Sequence, residues 1–224
     1  MTTGERAATI DRTTSETRID GLLRLDGSGG IRIDTGIGFL DHMLTALAFH
    51  AGWDLELECR GDLEVDDHHT AEDCALAIGE ALDRALGDRS GIVRFGTGHA
   101  PLDEALARTV IDLSGRPWPE IHLGLTREAL GGLATENITH LFTSLAMAAR
   151  CALHVDVLRG GNDHHRVEAA FKATALALRQ AAAVAGAGVP STKGRRGETP
   201  GARWLSSAPA PPITRRWRRP FTAR

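Results

Sequence analysis

The chain contains no tyrosine, and aromatic residues make up only 4% of its 224 residues. A surface that binds single-stranded nucleic acid needs aromatic rings on which successive bases can stack. The shortage of such rings argues against nucleic acid as a partner. A small molecule is the ligand that this composition favours.

Cysteine is also scarce, and the three cysteines stand singly at Cys59, Cys74 and Cys151, without a C-x-x-C pair. This spacing argues against a disulfide framework or a zinc ribbon and favours the reducing cytoplasm. No apolar run approaches the roughly 18 residues that a membrane span needs, and the first residues lack an apolar targeting segment. We therefore expect a soluble cytoplasmic protein without membrane contact.

Charge is unevenly distributed along the chain. The net charge is only -3, yet residues 194–224 contain eight arginines and a single acidic residue, Glu198. This segment is rich in proline and has neither helical nor strand periodicity, which predicts a disordered basic tail. Two interpretations of the tail stay open, an extension that binds nucleic acid and the product of a shifted reading frame.

The most informative feature is an internal repeat. The segment His42-Met-Leu-Thr-Ala-Leu-Ala48 resembles His140-Leu-Phe-Thr-Ser-Leu-Ala146, which follows at an offset of 98 residues. The cluster His68-His69-x-x-Glu72 recurs as His164-His165-x-x-Glu168 at an offset of 96 residues. Two blocks that recur in the same order indicate a duplication.

Each half is predicted to alternate strands with helices in the order strand, helix, strand, helix. Alternating apolar residues predict strands at 53–59 and 152–158, and helical apolar spacing follows each twin-histidine cluster. Each cluster therefore opens a helix. We place the two halves at residues 10–96 and 97–193, with the tail at 194–224 as a separate segment.

The twin-histidine clusters predict metal binding. Residues i and i+4 share one face of a helix, so His68 lies beside Glu72, and His164 lies beside Glu168. The adjacent histidine in each cluster points about 100° away on an ideal helix and suits a different metal ion. A single cluster of this kind is usually a solvated first turn, but two copies in register favour ligation.

Further ligands come from the other repeated block and from the adjacent histidines. The full candidate set is His42, His68, His69, Glu72, His140, His164, His165 and Glu168. Eight ligands are enough for two sites of four. Imidazole and carboxylate donors without thiolate favour manganese, iron or zinc over copper(I) or an iron–sulfur cluster.

Four longer motifs occur in order along the chain, with shorter ones at Arg12–Thr17 and Ile111–Pro117. They are Gly36–Leu44, Asp66–Asp73, Asn162–Glu168 and Pro190–Gly194. Together they resemble the imidazoleglycerol-phosphate dehydratase family of histidine biosynthesis. The resemblance implies an internally duplicated α+β fold in which each half has a four-stranded sheet and two helices. It also implies a homo-oligomer of 24 subunits with active sites between neighbours.

The resemblance also implies roles for single residues. It implies two manganese ions per active site, one held by His68, His140, His164 and Glu168, and the other by His42, His69, Glu72 and His165. It implies that Arg94, Arg116, Ser191 and Lys193 bind the phosphate of the substrate. His50 and Lys172 would be further substrate contacts. Glu16 resembles the family glutamate that reaches the substrate. It is the first candidate for the catalytic base, and Glu72 or Glu168 is the second.

The reaction that the resemblance implies is loss of water from imidazole glycerol phosphate to give imidazole acetol phosphate. Two metal ions would hold the substrate imidazole as an imidazolate, whose electrons expel the adjacent hydroxyl. A carboxylate or histidine would then remove the proton bound to carbon. Two other functions stay open, a two-metal hydrolase and a metal-buffering protein with a basic arm for nucleic acid.

Overall fold

The computed structural model describes residues 5–186, so Ser191, Lys193 and the predicted tail lie outside the described residues. The first half contains β1 (Ala7–Thr13), β2 (Thr17–Arg24), β3 (Ile31–Asp34), α1 (Gly38–Ala51), β4 (Asp54–Gly61) and α2 (His68–Leu86). The second half contains β5 (Phe95–Leu102), β6 (Ala105–Asp112), β7 (Trp118–His122), β8 (Ala129–Leu130), β9 (Leu133–Ala134), α3 (Thr135–Ala148), β10 (Ala152–Arg159) and α4 (Asp163–Ala182).

The two halves share one topology. Their four-stranded sheets have the orders β1-β2-β4-β3 and β5-β6-β10-β7, and β8 and β9 form a small added hairpin. In each sheet the last pair, β3 with β4 or β7 with β10, is parallel, and the other pairs are antiparallel. The duplicated α+β fold is therefore confirmed.

The predicted order of elements within a half was incomplete, because three strands of the four-stranded sheet rather than one precede the first helix of each half, and the second half adds the β8–β9 hairpin. The first of them, β1, buries only Ile10, and β3 has four residues. Strands this short or this exposed produce no apolar alternation long enough to separate them from loops. The strands predicted at 53–59 and 152–158 are confirmed as β4 and β10.

The helices connect the two halves. Helix α1 packs against α4, and α2 packs against α3, so each pair contains one helix from either half. Phe142 of α3 and Phe171 of α4 are fully buried, with ring centroids 4.7 Å apart. Burial of side chains of this size stabilises the fold by about 1.5–3 kcal/mol each. No helix within residues 5–186 is both long enough and apolar enough to cross a membrane.

The glycines near the expected boundary between the halves lie inside β5 and not in a loop. A Cβ atom on Gly98 would lie 2.1 Å from the carbonyl oxygen of Ala173, and one on Gly96 would lie 2.0 Å from that of Ala177. Glycine inside a strand often marks a close approach by another backbone. Here it lets α4 pack directly onto β5.

Candidate metal centre

The first ligand cluster lies between α1 and α4, and we call it the α1/α4 triad: His42, His164 and Glu168. The Nε2 atoms of His42 and His164 lie 3.3 and 3.2 Å from Glu168 Oε2. The ligand atoms of all three residues lie within 4.8 Å of one another. Helical spacing brings His164 beside Glu168, and the packing of α1 on α4 brings His42 to the same point.

Glu168 is also held from its other side. Its Oε1 atom accepts an ion-paired hydrogen bond from Lys172 Nζ at 2.7 Å, one helical turn further along α4. Burial opposes ionisation, but Lys172 and His42 together hold the pKa of Glu168 below its ordinary value. Burial lowers the pKa of His50, and the neighbouring charge of Lys172 lowers it further. The structure thus brings His50 and Lys172 together beside this triad.

The second cluster lies between α2 and α3, and we call it the α2/α3 triad: His68, Glu72 and His140. His140 Nε2 lies 3.0 Å from Glu72 Oε1, and His68 Nε2 lies 3.7 Å from Glu72 Oε2. The His68 and His140 rings stack with centroids 5.0 Å apart. Despite the short contact with Glu72, the buried His140 Nε2 makes no hydrogen bond to a described residue. A buried nitrogen lacking a correctly oriented donor or acceptor fits a metal ligand.

The ring of His68 is oriented by residues that the sequence did not reveal as functional. Its Nδ1 lies 2.8 Å from Asn137 Oδ1, and Asn137 Nδ2 donates to Asp67 Oδ2 at 3.0 Å. Because the amide oxygen can only accept, the His68 proton resides on Nδ1 and leaves Nε2 as the free ligand atom. The position of Asn137 three residues before His140 on α3 was the available signal.

At the start of both twin-histidine helices a polar side chain accepts a hydrogen bond from the amide of the first histidine. The amide of His68 donates to Asp66 Oδ1 at 2.8 Å, and that of His164 donates to Asn162 Oδ1 at 2.9 Å. A side-chain acceptor at this point satisfies one of the unpaired amides of the first helical turn. Each ligand cluster stands at a helix start, as predicted.

The adjacent histidines, His69 and His165, lie outside both triads. His69 Nδ1 contacts Asp62 Oδ2 at 3.0 Å, and His165 Nδ1 contacts Glu104 Oε2 at 2.8 Å. These hydrogen bonds raise the pKa of each histidine, and the pKa of Glu104 falls to about 2 because it binds His165 and backbone amides. Asp62 and Glu104 were not among the predicted site residues.

The geometry groups the ligands differently from the division that the resemblance implied. That division separated Glu72 from His68 and Glu168 from His42. In the structure each glutamate stays beside the histidine four residues before it and meets the single histidine of the facing helix. The i to i+4 spacing fixes this pairing, because the two side chains project from one helix face. Spacing alone therefore predicted the pairs that the structure shows.

Glu16 lies at the tip of the β1–β2 hairpin, exposed and close to His69. The hydrogen bond with Asp62 contributes most to the raised pKa of His69, and the charge of Glu16 adds to it. The tip is attached to α2 through the buried Asp73, which accepts from Arg12 Nε at 2.9 Å and Thr14 Oγ1 at 3.4 Å. Glu16 is thereby held near a candidate ligand.

The predicted phosphate ligands are not assembled within the described residues. Arg94 donates from Nε and Nη2 to the two oxygens of Asp112, at 2.7 and 3.0 Å. Arg116 is exposed and has no ion pair or hydrogen bond to another described residue. Ser191 and Lys193 lie outside residues 5–186. The phosphate site therefore stays a prediction.

With the geometry established, comparison with known proteins identifies the relatives of this chain. The family model for imidazoleglycerol-phosphate dehydratase matches residues 35–178. The imidazoleglycerol-phosphate dehydratase of Kluyveromyces lactis is 51% identical over 218 residues, covering 87% of this chain and 99% of that protein. That of Phytophthora nicotianae is 61% identical over 192 residues, covering 85% of this chain and 42% of that protein.

A solved structure gives the same result. The crystal structure of imidazoleglycerol-phosphate dehydratase from Staphylococcus aureus superposes with a TM-score of 0.72 at 39% identity. The match covers 80% of this chain and 99% of that one. The chain belongs to the imidazoleglycerol-phosphate dehydratase family.

Proposed function

We propose that this protein is an imidazoleglycerol-phosphate dehydratase, a hydro-lyase that converts imidazole glycerol phosphate to imidazole acetol phosphate and water in histidine biosynthesis. The observation that carries the proposal is the pair of triads, each of which joins an imidazole–carboxylate pair on one helix to a histidine on the facing helix. Family membership supports the same activity. We also propose a cytoplasmic location, which the three buried free cysteines support.

The proposal includes two divalent metal ions per active site, of which manganese is the first candidate. Imidazole nitrogens and carboxylate oxygens without thiolate suit such an ion. The buried His140 Nε2, which makes no hydrogen bond to a described residue, supports ligation at the α2/α3 triad. Each triad supplies three ligands, and we assign the fourth to His69 or His165 of a neighbouring subunit in an assembly of 24. Both residues lie outside the triads of their own chain.

When bound, the metal ions supply Lewis acidity that stabilises negative charge on the substrate imidazole. The chain's own residues perform the remaining tasks. Glu72 and Glu168 hold the histidine Nε2 atoms toward a common point in each triad. Glu16 is the proposed base that removes the carbon-bound proton, because its exposed carboxylate makes no side-chain hydrogen bond to a described residue.

Phosphate binding would orient the three-carbon chain of the substrate. Arg116 offers an exposed guanidinium for charge-assisted hydrogen bonds, and Asp112 already fixes the plane of the Arg94 guanidinium. We propose that Arg94, Arg116, Ser191 and Lys193 contact the phosphate, with His50 and Lys172 nearer the α1/α4 triad. Fixed substrate geometry lowers the entropy cost of reaching the transition state.

The test combines metal analysis with product identification on purified full-length protein. Wild type should bind manganese and convert imidazole glycerol phosphate to the ketone product. The His68→Ala, His164→Ala double variant should lose both properties. His154→Ala is the matched control, because His154 is exposed on β10 and belongs to neither triad. Release of inorganic phosphate without the ketone would indicate a hydrolase, and full activity in the double variant would refute the proposed function.

A further inference from the structure

The two hairpins that begin the halves carry a glutamate at the same place. Glu16 immediately precedes β2, and Glu104 immediately precedes β6, its counterpart in the second sheet. Glu104 accepts from His165 Nδ1, yet Glu16 does not bind His69 in the corresponding way. Asp62 binds His69 Nδ1 instead, at 3.0 Å. The two halves therefore hold the second histidine of the cluster with different carboxylates. Asp62 holds His69 in the first half, and Glu104 holds His165 in the second.

Asp62 is available because the first half has a longer connection between strand and helix. Six residues separate β4 from α2, whereas three separate β10 from α4. Repeat offsets of 98 before this connection and 96 after it place Asp62 opposite Leu158 or Gly160. Neither counterpart has a carboxylate, so the second half has no equivalent of Asp62 and depends on Glu104.

The two halves also attach their hairpin tips through different carboxylates. In the second half, Glu104 Oε1 accepts from the amides of Gly161 and Asn162, at 3.1 and 2.9 Å, so one carboxylate holds both the tip and His165. In the first half, Asp73 holds the tip through Arg12, Thr14 and Thr17. The residue at the position of Asp73 in the second half is Ala169. Glu16 therefore neither holds its hairpin tip nor binds the neighbouring histidine, whereas Glu104 does both.

We propose that Asp62 and Glu104 are positioning residues that keep the His69 and His165 protons on Nδ1 and Nε2 free for a metal ion, and that Asp62 thereby leaves Glu16 free for the substrate. The inference rests on the proposed function, since it takes His69 and His165 as ligands. Carboxylates that accept from the second ring nitrogen of a ligand histidine orient the ring and increase its basicity.

The first experiment measures Mn²⁺ binding to the full chain by the electron paramagnetic resonance signal of free Mn²⁺. We expect Asp62→Ala to weaken binding by about 10–100-fold, as loss of such a partner typically does. Asp62→Asn should recover part of the loss, because its amide oxygen still accepts from Nδ1–H. Glu64→Ala is the matched control in the same loop, exposed and without a described partner, and should bind as wild type does.

Two further measurements separate the possible failures. If His69→Ala leaves Mn²⁺ binding unchanged, the ligand assignment in the proposed function is wrong. If His69→Ala weakens binding but Asp62→Ala does not, the positioning role is overturned and the ligand assignment stands. Thermal unfolding of metal-free Asp62→Ala should match that of Glu64→Ala. A much lower melting temperature for Asp62→Ala would assign the loss of binding to general destabilisation and overturn the positioning role.

A double-mutant cycle tests the role of Glu16. In wild type, Glu16→Ala should lower kcat and leave Mn²⁺ affinity unchanged. In the Asp62→Ala background Glu16 should replace the lost partner of His69, as Glu104 serves His165. There Glu16→Ala, which removes the acceptor, should weaken Mn²⁺ binding further, by about tenfold. Additive effects on Mn²⁺ affinity would show that Asp62 and Glu16 do not exchange roles and would overturn this part of the proposal.

Discussion

The two triads use the same three residue types, yet their carboxylates lie in different surroundings. The side chain of Glu168 is 13% exposed and paired with Lys172, whereas that of Glu72 is 33% exposed. The position that corresponds to Lys172 in the first half is Leu76. Duplication has therefore kept the ligands and changed their neighbours. We therefore expect the two candidate metal sites to differ in affinity, although they use the same three residue types.

Single-ligand variants test whether the triads act separately. We expect His68→Ala to lose the α2/α3 ion and retain the other, and His164→Ala to do the reverse. Either change should lower kcat/KM by about a thousandfold or more if, as proposed, both ions bind one substrate ring. Metal analysis after gel filtration gives the count per chain. Loss of both ions in either variant would show that the triads do not bind independently.

The first hairpin should depend much more on the ion pair of Arg12 with Asp73 than on its ion pair with Glu80. Asp73→Ala should reduce the free energy of unfolding by about 3 kcal/mol, because it leaves the partly buried Arg12 without its main partner. The control is Glu80→Ala, which removes the exposed second partner of Arg12 at 3.6 Å and should cost less than about 1 kcal/mol. Urea unfolding of metal-free protein measures both. Equal costs would contradict the central role of Asp73.

The carboxylates themselves should differ in metal-free protein. Glu168→Gln removes the charge that balances a largely buried Lys172 and should destabilise the fold by about 1–2 kcal/mol. Glu72→Gln leaves no lysine unbalanced and should cost about 0.5 kcal/mol or less. Thermal unfolding in the presence of a chelator compares the two variants. A larger cost for Glu72→Gln would reverse the comparison drawn from their surroundings.

The smallest effect is expected at the loop before β3, which the Asp54 carboxylate anchors. Asp54 Oδ1 accepts from the amides of Ser28, Gly29 and Gly30, which hold the pKa of Asp54 below its ordinary value. A lowered folded-state pKa stabilises the fold above the unfolded value near 3.8, and this contribution is lost as pH falls through the folded-state pKa.

Asp54→Asn should therefore cost at most about 1 kcal/mol at neutral pH, since solvent screens the exposed carboxylate. The cost should shrink below pH 4. Urea unfolding at several pH values compares the variant with wild type. A cost independent of pH would show that the charge of Asp54 does not stabilise the loop.

The sequence predicted features that depend on regular spacing. The i to i+4 pairs His68–Glu72 and His164–Glu168 and the helices that begin at them follow from helical periodicity, and the duplication follows from the repeated blocks. Asp62 could not be recognised, because its contact with His69 depends on the path of an irregular loop. From the sequence, Asp73 looks like one more polar residue of α2, since only the folded hairpin brings Arg12, Thr14 and Thr17 to it.

The pairing of α1 with α4 and of α2 with α3 makes each triad a bridge between the halves. An ion in either triad would tie a histidine of one half to an imidazole–carboxylate pair of the other. Separation of the helix pairs must then break metal bonds, so metal affinity and cohesion between the halves are thermodynamically linked. Substitutions that weaken the packing of α1 on α4 or of α2 on α3, even far from the ligands, should therefore lower metal affinity. Removal of metal should in turn lower the free energy needed to separate the two halves.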